Sequence, residues 1–167
     1  MKSGAGVLTL SGTNTFTGGM TLSGGSVLVG NNAAFGTGTA TLGGGTVSSD
    51  GTTARTMSNG YVLNGLVTLG DGTKNGALTW SGAGSVGGGG ASVTVASPVT
   101  LSGVLGGTGV LTKMGTSALT LSGASSYSGG TVVNAGNVYV GNDSGLGTGV
   151  VTLSGGVVSS DGTSART

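Results

Sequence analysis

Apolar and polar residues alternate along most of this chain in short runs that end at glycine. Leu8 and Leu10 flank Thr9, Val27 and Val29 flank Leu28, Ala40 and Leu42 flank Thr41, and Val93 and Val95 flank Thr94. A period of two sends alternate side chains to opposite faces, so each run predicts a short strand with one buried face. Helical spacing at three, four and seven residues is not sustained over three turns anywhere. The lone proline, Pro98, stands where a turn would open the next strand.

The runs recur. Residues 2–56 align without gaps on residues 113–167, an offset of 111, and about 30 of the pairs are identical. A shorter rhythm lies inside. Thr-Leu-Ser-Gly or a near variant begins at residues 9, 21, 41, 68, 79, 100, 120 and 152. Several of the intervals are about 20 residues. Inward positions stay apolar between the copies (Leu8/Leu119, Val27/Val138, Ala40/Val151, Leu42/Leu153), whereas outward Leu28 becomes Tyr139. A packed face keeps its character and a wet face drifts. A sandwich has no reason to recur every 20 residues. A solenoid does, because each coil must present like residues to the next. The expected fold is therefore all-β: a parallel β-helix with coils of about 20–22 residues, forming one segment over 1–167. Its unit spans 2–112, and 113–167 begins the next. Such a unit is expected to hold a whole number of coils, five of about 22 residues or six of about 18. The rod would be on the order of 35–40 Å long.

Composition narrows the function. Glycine fills 41 of 167 positions, yet only 5% of residues are charged and the mean hydropathy is positive, which argues for order and against a disordered chain. The glycines are then turn residues. A net charge of +1 without a basic cluster excludes a nucleic-acid surface. Without cysteine there is neither a disulfide framework nor a thiolate metal site. No apolar run reaches the length of a membrane span. The opening "SGAGVLTLSG" lacks the core of a signal peptide, and the second copy stops midway, as expected of a piece of a longer array.

The stretch "LTKMGTSALTLSGASSYSGGTVVNAGNVYVGN" (111–142) resembles the passenger-associated transport repeat of bacterial autotransporters. Leu119, Leu121, Gly123, Tyr127, Gly129, Gly130, Thr131, Gly136, Val140 and Gly141 stand at the family's recurrent positions. Residues 2–31 resemble it again, with Phe16 for the tyrosine and Met20 for the threonine. The resemblance implies a right-handed parallel β-helix, placed on the bacterial cell surface by an outer-membrane β-barrel translocator. It also implies a shaft and not a catalytic module.

Candidate chemistry is sparse. The chain has no histidine, cysteine or glutamate, and its four aspartates (Asp50, Asp71, Asp143, Asp161) are spread out. A glycosidase would need two carboxyls within about 10 Å, and a serine nucleophile would need a base. Neither an enzyme nor a cofactor or metal site is expected. "LGDGTKNG" (69–76) reads better as a turn than as a calcium loop. Trp80, in "LTWSG", reads as a core filler. The motif "SSDGTTART" returns as "SSDGTSART", which makes Asp50 with Arg55 and Asp161 with Arg166 candidate loop pairs, either within the chain or between neighbours. The leading functional expectation is a structural shaft of a secreted surface protein or extracellular filament, with end-to-end self-association. The alternative is an adhesin that binds glycans or surfaces through Thr/Ser ladders and through exposed Phe16, Tyr127 and Tyr139.

Overall fold

The structure, a computed structural model, describes residues 1–163. Among these residues there are fifteen strands, from Val7–Leu10 to Val157–Ser160, and no helix. Every strand pairing is parallel, and the strands stack into a β-solenoid of about eight coils. Each coil passes through three faces. On face 1, Lys2, Leu22, Leu42, Leu63, Val86 and Gly107 follow one another in register. On face 2, Leu8, Val27 and Val47 lead to Leu69, and Val93, Lys113, Val133 and Leu153 continue the stack. On face 3 the file is Met57, Trp80, Leu101, Leu121, Val140 and Ser160. Strands Met20–Val29, Ala40–Ser49, Tyr61–Leu69 and Gly84–Val95 bend round the corner from face 1 to face 2. These two faces therefore form one nine-stranded sheet, and face 3 is a six-stranded sheet.

The alternation in the sequence becomes the inside and outside of the coil. Within Leu78–Trp80, Val99–Leu101 and Leu119–Leu121, the flanking residues are buried and the central threonine points out. The buried side chains of all three faces meet in one thin core. Its widest point holds Phe35 stacked on Trp80 at 5.6 Å and Tyr61 tilted against Trp80 at 5.1 Å between ring centroids. Trp80 is the core filler its sequence context predicts. Coil length varies with the loops and with bulges inside the long strands. Leu22 and Leu42 are 20 residues apart, whereas Val67 and Val93 are 26 apart, because 71–76 and the glycine run 87–90 bulge outward between them.

The repeat closes differently from expectation. Five steps along face 1 carry Lys2 to Gly107, and Lys113, its equivalent at the offset of 111, lies one face further on, opposite Val93 of face 2. Strand Val7–Leu10 is on face 2, and its equivalent Leu119–Leu121 is on face 3. The unit thus holds five coils and one third, which corrects the expectation of a whole number. The physical reason is that stacking constrains only the inward side-chain type. All three faces offer the same apolar interior, so a unit can close on any of them.

The corner between faces 1 and 2 requires glycine at position 45. Gly45 has φ of 77°, and a Cβ there would sit 2.5 Å from the Gly25 carbonyl oxygen of the preceding coil. Gly45→Ala is expected to destabilise the chain by about 2 kcal/mol or more, from the left-handed backbone and the overlap together. Gly51→Ala, where a Cβ meets open space, should stay within about 0.5 kcal/mol. Chemical denaturation of both variants checks the contrast.

Candidate functional site: rod ends and corner lysines

Two features stand apart from ordinary core packing. The first is a pair of lysines folded inward. Strand Leu111–Met114 alternates so that Leu111 and Lys113 point inward, and Lys113 is fully buried. Its ammonium donates to the carbonyl oxygens of Met114 at 3.1 Å, Gly115 at 2.7 Å and Ala135 at 3.1 Å. Those carbonyls belong to the corner of its own coil and to the corner of the next. The three N–H donors are all used, which is what makes a buried charge tolerable. Burial still pushes its pKa down to about 8. Lys2 does the same one face away, donating to Gly4 O and, at 3.1 Å, to Gly24 O. Gly24 and Ala135 are equivalent positions, so the two lysines clip equivalent corners.

The second feature is the state of the two ends. Leu42 is fully buried, but its equivalent Leu153 in the last described coil is 56% exposed. Leu119 is 1% exposed, but its equivalent Leu8 in the first coil is 37% exposed. Residue type and inward register are unchanged, although each equivalent lies one face further on. At the N-terminal end Leu8, Leu10, Phe16 and Met20 line an apolar concavity of about 300 Å³. At the other end Val150, Val151, Leu153 and Val157 are exposed. Val7–Leu10, Val151–Leu153 and Val157–Ser160 each pair on one side only among the described residues. Both ends thus combine exposed apolar side chains with strands that join the sheets from one side among the described residues.

The lysines, the glycine corners and the aromatic positions recur together in two segments. Residues 2–29 and 111–140 match the passenger-associated-transport-repeat family. No curated protein and no solved structure matches the chain. Each matched segment carries a lysine at an inward register position within its first three residues, has one aromatic at the corresponding place, and ends on a Val-x-Val strand (Val27/Val29, Val138/Val140). Each runs over five successive face segments, more than one coil but less than two. The first ends on face 2 and the second on face 3.

The aromatic of the motif faces inward. Tyr127, expected on the surface, is completely buried. Its hydroxyl is 2.5 Å from Thr131 Oγ1, which in turn donates to Leu146 O. This corrects its reading as a binding residue: the segment 125–128 hydrogen-bonds onto Leu105 and Gly107 of face 1 and turns the ring into the core. Burial pushes the phenol up to about 12. Phe16, its equivalent in the first coil, is 42% exposed. Tyr139 does face outward, half-buried, and accepts from Asn137 Nδ2 at 3.2 Å.

The charged loop behaves as a turn. Arg55 donates to Asp50 at 2.9 Å across the 51–54 loop. Both are partly exposed, so the pair contributes about 0–1 kcal/mol. Asp161 accepts from Thr163 N and Oγ1, and Arg166 lies outside the described residues. Asp71 accepts from the Thr73 hydroxyl and from the amides of Thr73 and Lys74, which holds it low, at about 2. That carboxylate is engaged by its own turn, as the reading of 69–76 anticipated. Sequence reasoning passed over the lysines, although the signal was present. "Leu-Thr-Lys" places Lys113 on the same side as Leu111, and Lys2 occupies the same place in the other copy.

Lys113 makes stability depend on pH in a defined direction. Its folded pKa lies below its unfolded one, so the unfolded chain binds more protons between about pH 8 and 10. Stability should rise across that window. Lys113→Met should remove the rise and, by leaving three buried carbonyls unpaired, cost about 1–3 kcal/mol at pH 7. Urea denaturation from pH 7 to 10 checks both. Exchanging Asp50 and Arg55 for one another should move stability by less than about 1 kcal/mol. A larger loss by the same measurement would give the pair a greater role than its exposure allows.

Proposed function

We propose that this chain is a structural segment: part of the shaft of a secreted bacterial surface protein, or of an extracellular filament, built from tandem 111-residue units. The observation that carries the reading is the stack itself, an uninterrupted series of parallel coils around one continuous core. The match of residues 2–29 and 111–140 to the passenger-associated-transport-repeat family supports it. A further coil would continue the face 2 ladder beyond Val7–Leu10 at one end, and the face 2 and face 3 ladders beyond Val151–Leu153 and Val157–Ser160 at the other. A non-catalytic role fits the absence of His, Cys and Glu from the sequence and the wide spacing of the four aspartates. The family match supports an autotransporter context, in which a β-barrel translocator is the export partner and the cell surface the destination.

A second reading keeps one observation. Thr56, Thr79, Thr100 and Thr120 form an unbroken outward file on face 3, which continues into Tyr139. Such a hydroxyl file ending in an aromatic would suit a glycan or a solid surface. The offset of one face between copies weighs against it, because a second unit would not extend that file with the same side chains.

For the chain on its own, the shaft reading expects end-to-end stacking of copies. Sedimentation should show concentration-dependent association, and electron micrographs should show rods. Val151→Glu with Leu153→Glu should weaken association at least tenfold while leaving the strand spectrum intact. Compact, non-associating particles at high protein concentration would sink the reading. Specific binding on a glycan array would favour the second.

A further inference from the structure

We infer that the two copies of the motif are displayed around the rod and not along it. They are related by a screw that advances five coils and one third and turns by one face. The registers carry this. Thr9 is outward on face 2 beside Leu28, whereas its equivalent Thr120 is outward on face 3 between Thr100 and Tyr139. Thr41 is on face 1 between Thr21 and Val62, whereas its equivalent Thr152 is on face 2 beside Val132. Lys2 clips the corner after face 1 and Lys113 the corner after face 2.

The consequence concerns what can recognise the surface. A flat partner lying along one face meets each outward side chain of the motif once, not twice. A partner no larger than one unit can occupy both copies independently, because they point in different directions. Each further unit of the same kind would advance about 26 Å and turn by another face, so the same orientation would return after three units, about 77 Å. Surface recognition by such a rod is therefore unit by unit. Length adds independent sites around the axis and does not widen one site.

Disulfide mapping in the full chain tests the relation. In-register parallel neighbours lie within disulfide reach. The double variant Thr100→Cys with Thr120→Cys should oxidise readily, as should Thr94→Cys with Met114→Cys, since each pair is in register. The double variant Thr94→Cys with Thr120→Cys should cross-link at least tenfold less. A unit of whole coils would return Thr120 to face 2 with Thr9, in the file that runs to Ala96, and would abolish the cross-link between positions 100 and 120. Failure to cross-link when positions 100 and 120 carry the thiols, in chains that keep their strand spectrum and cross-link at 94 and 114, overturns the inference. The inference does not rest on the shaft reading. Association and micrographs can fail while these cross-links form, and the cross-links can fail while rods assemble.

Discussion

Coverage of each coil's apolar edge by the next is the constraint on which the rest depends. A single coil has an inside only one or two side chains across. It cannot bury Leu, Val or Trp by itself, since half of each side chain's surroundings comes from the coil above or below. The hydrogen bonds follow the same rule, because nearly all backbone pairing runs between coils. Stability is then a sum over interfaces between neighbours, and the bare leucines at the two ends are what this arithmetic leaves over.

The corners solve a second problem created by the first. A coil that turns three times must bend its backbone sharply while its carbonyls stay close to those of neighbouring coils. Glycine supplies the bend at positions such as Gly45, where a side chain would strike the coil beneath. Lysine supplies a charge to converging carbonyls where a corner would otherwise leave them unpaired. One residue contributes by having no side chain, and the other by having the longest unbranched one.

Much of this was legible in the sequence. The two-residue alternation placed the strands, the recurrence of Thr-Leu-Ser-Gly gave stacked coils, and Asp50 with Arg55 was readable as a turn pair from Asp-Gly and the spacing. Three things were not. The closure of the unit one face on was hidden because inward residues look alike on every face, and the loop 71–76 and the strand bulge at 87–90 blur the spacing. The burial of Tyr127 was hidden because a lone aromatic next to Ser and Gly carries no alternation to orient it. The exposure of Leu153 was hidden because nothing in its residue type distinguishes it from Leu42. Exposure there depends on a neighbouring coil and not on the local sequence.

The direction of the ladders has a mechanical meaning. Strands lie across the rod and their hydrogen bonds run along it. A pull on the two ends therefore loads the coil interfaces in series, while the three faces of each interface share the load in parallel. Strength is set by the weakest junction, not by the number of coils. Between the first two coils, face 3 has no strand pair and is tied by isolated bonds, such as Asn14 N to Ala33 O and Thr37 N to Phe16 O. Between the second and third coils face 3 again has no strand pair and is tied through side chains, Thr56 N donating to Asn32 Oδ1 and Asn59 Nδ2 donating to Gly36 O and Gly38 O, so over this stretch the sheet of faces 1 and 2 carries most of the load.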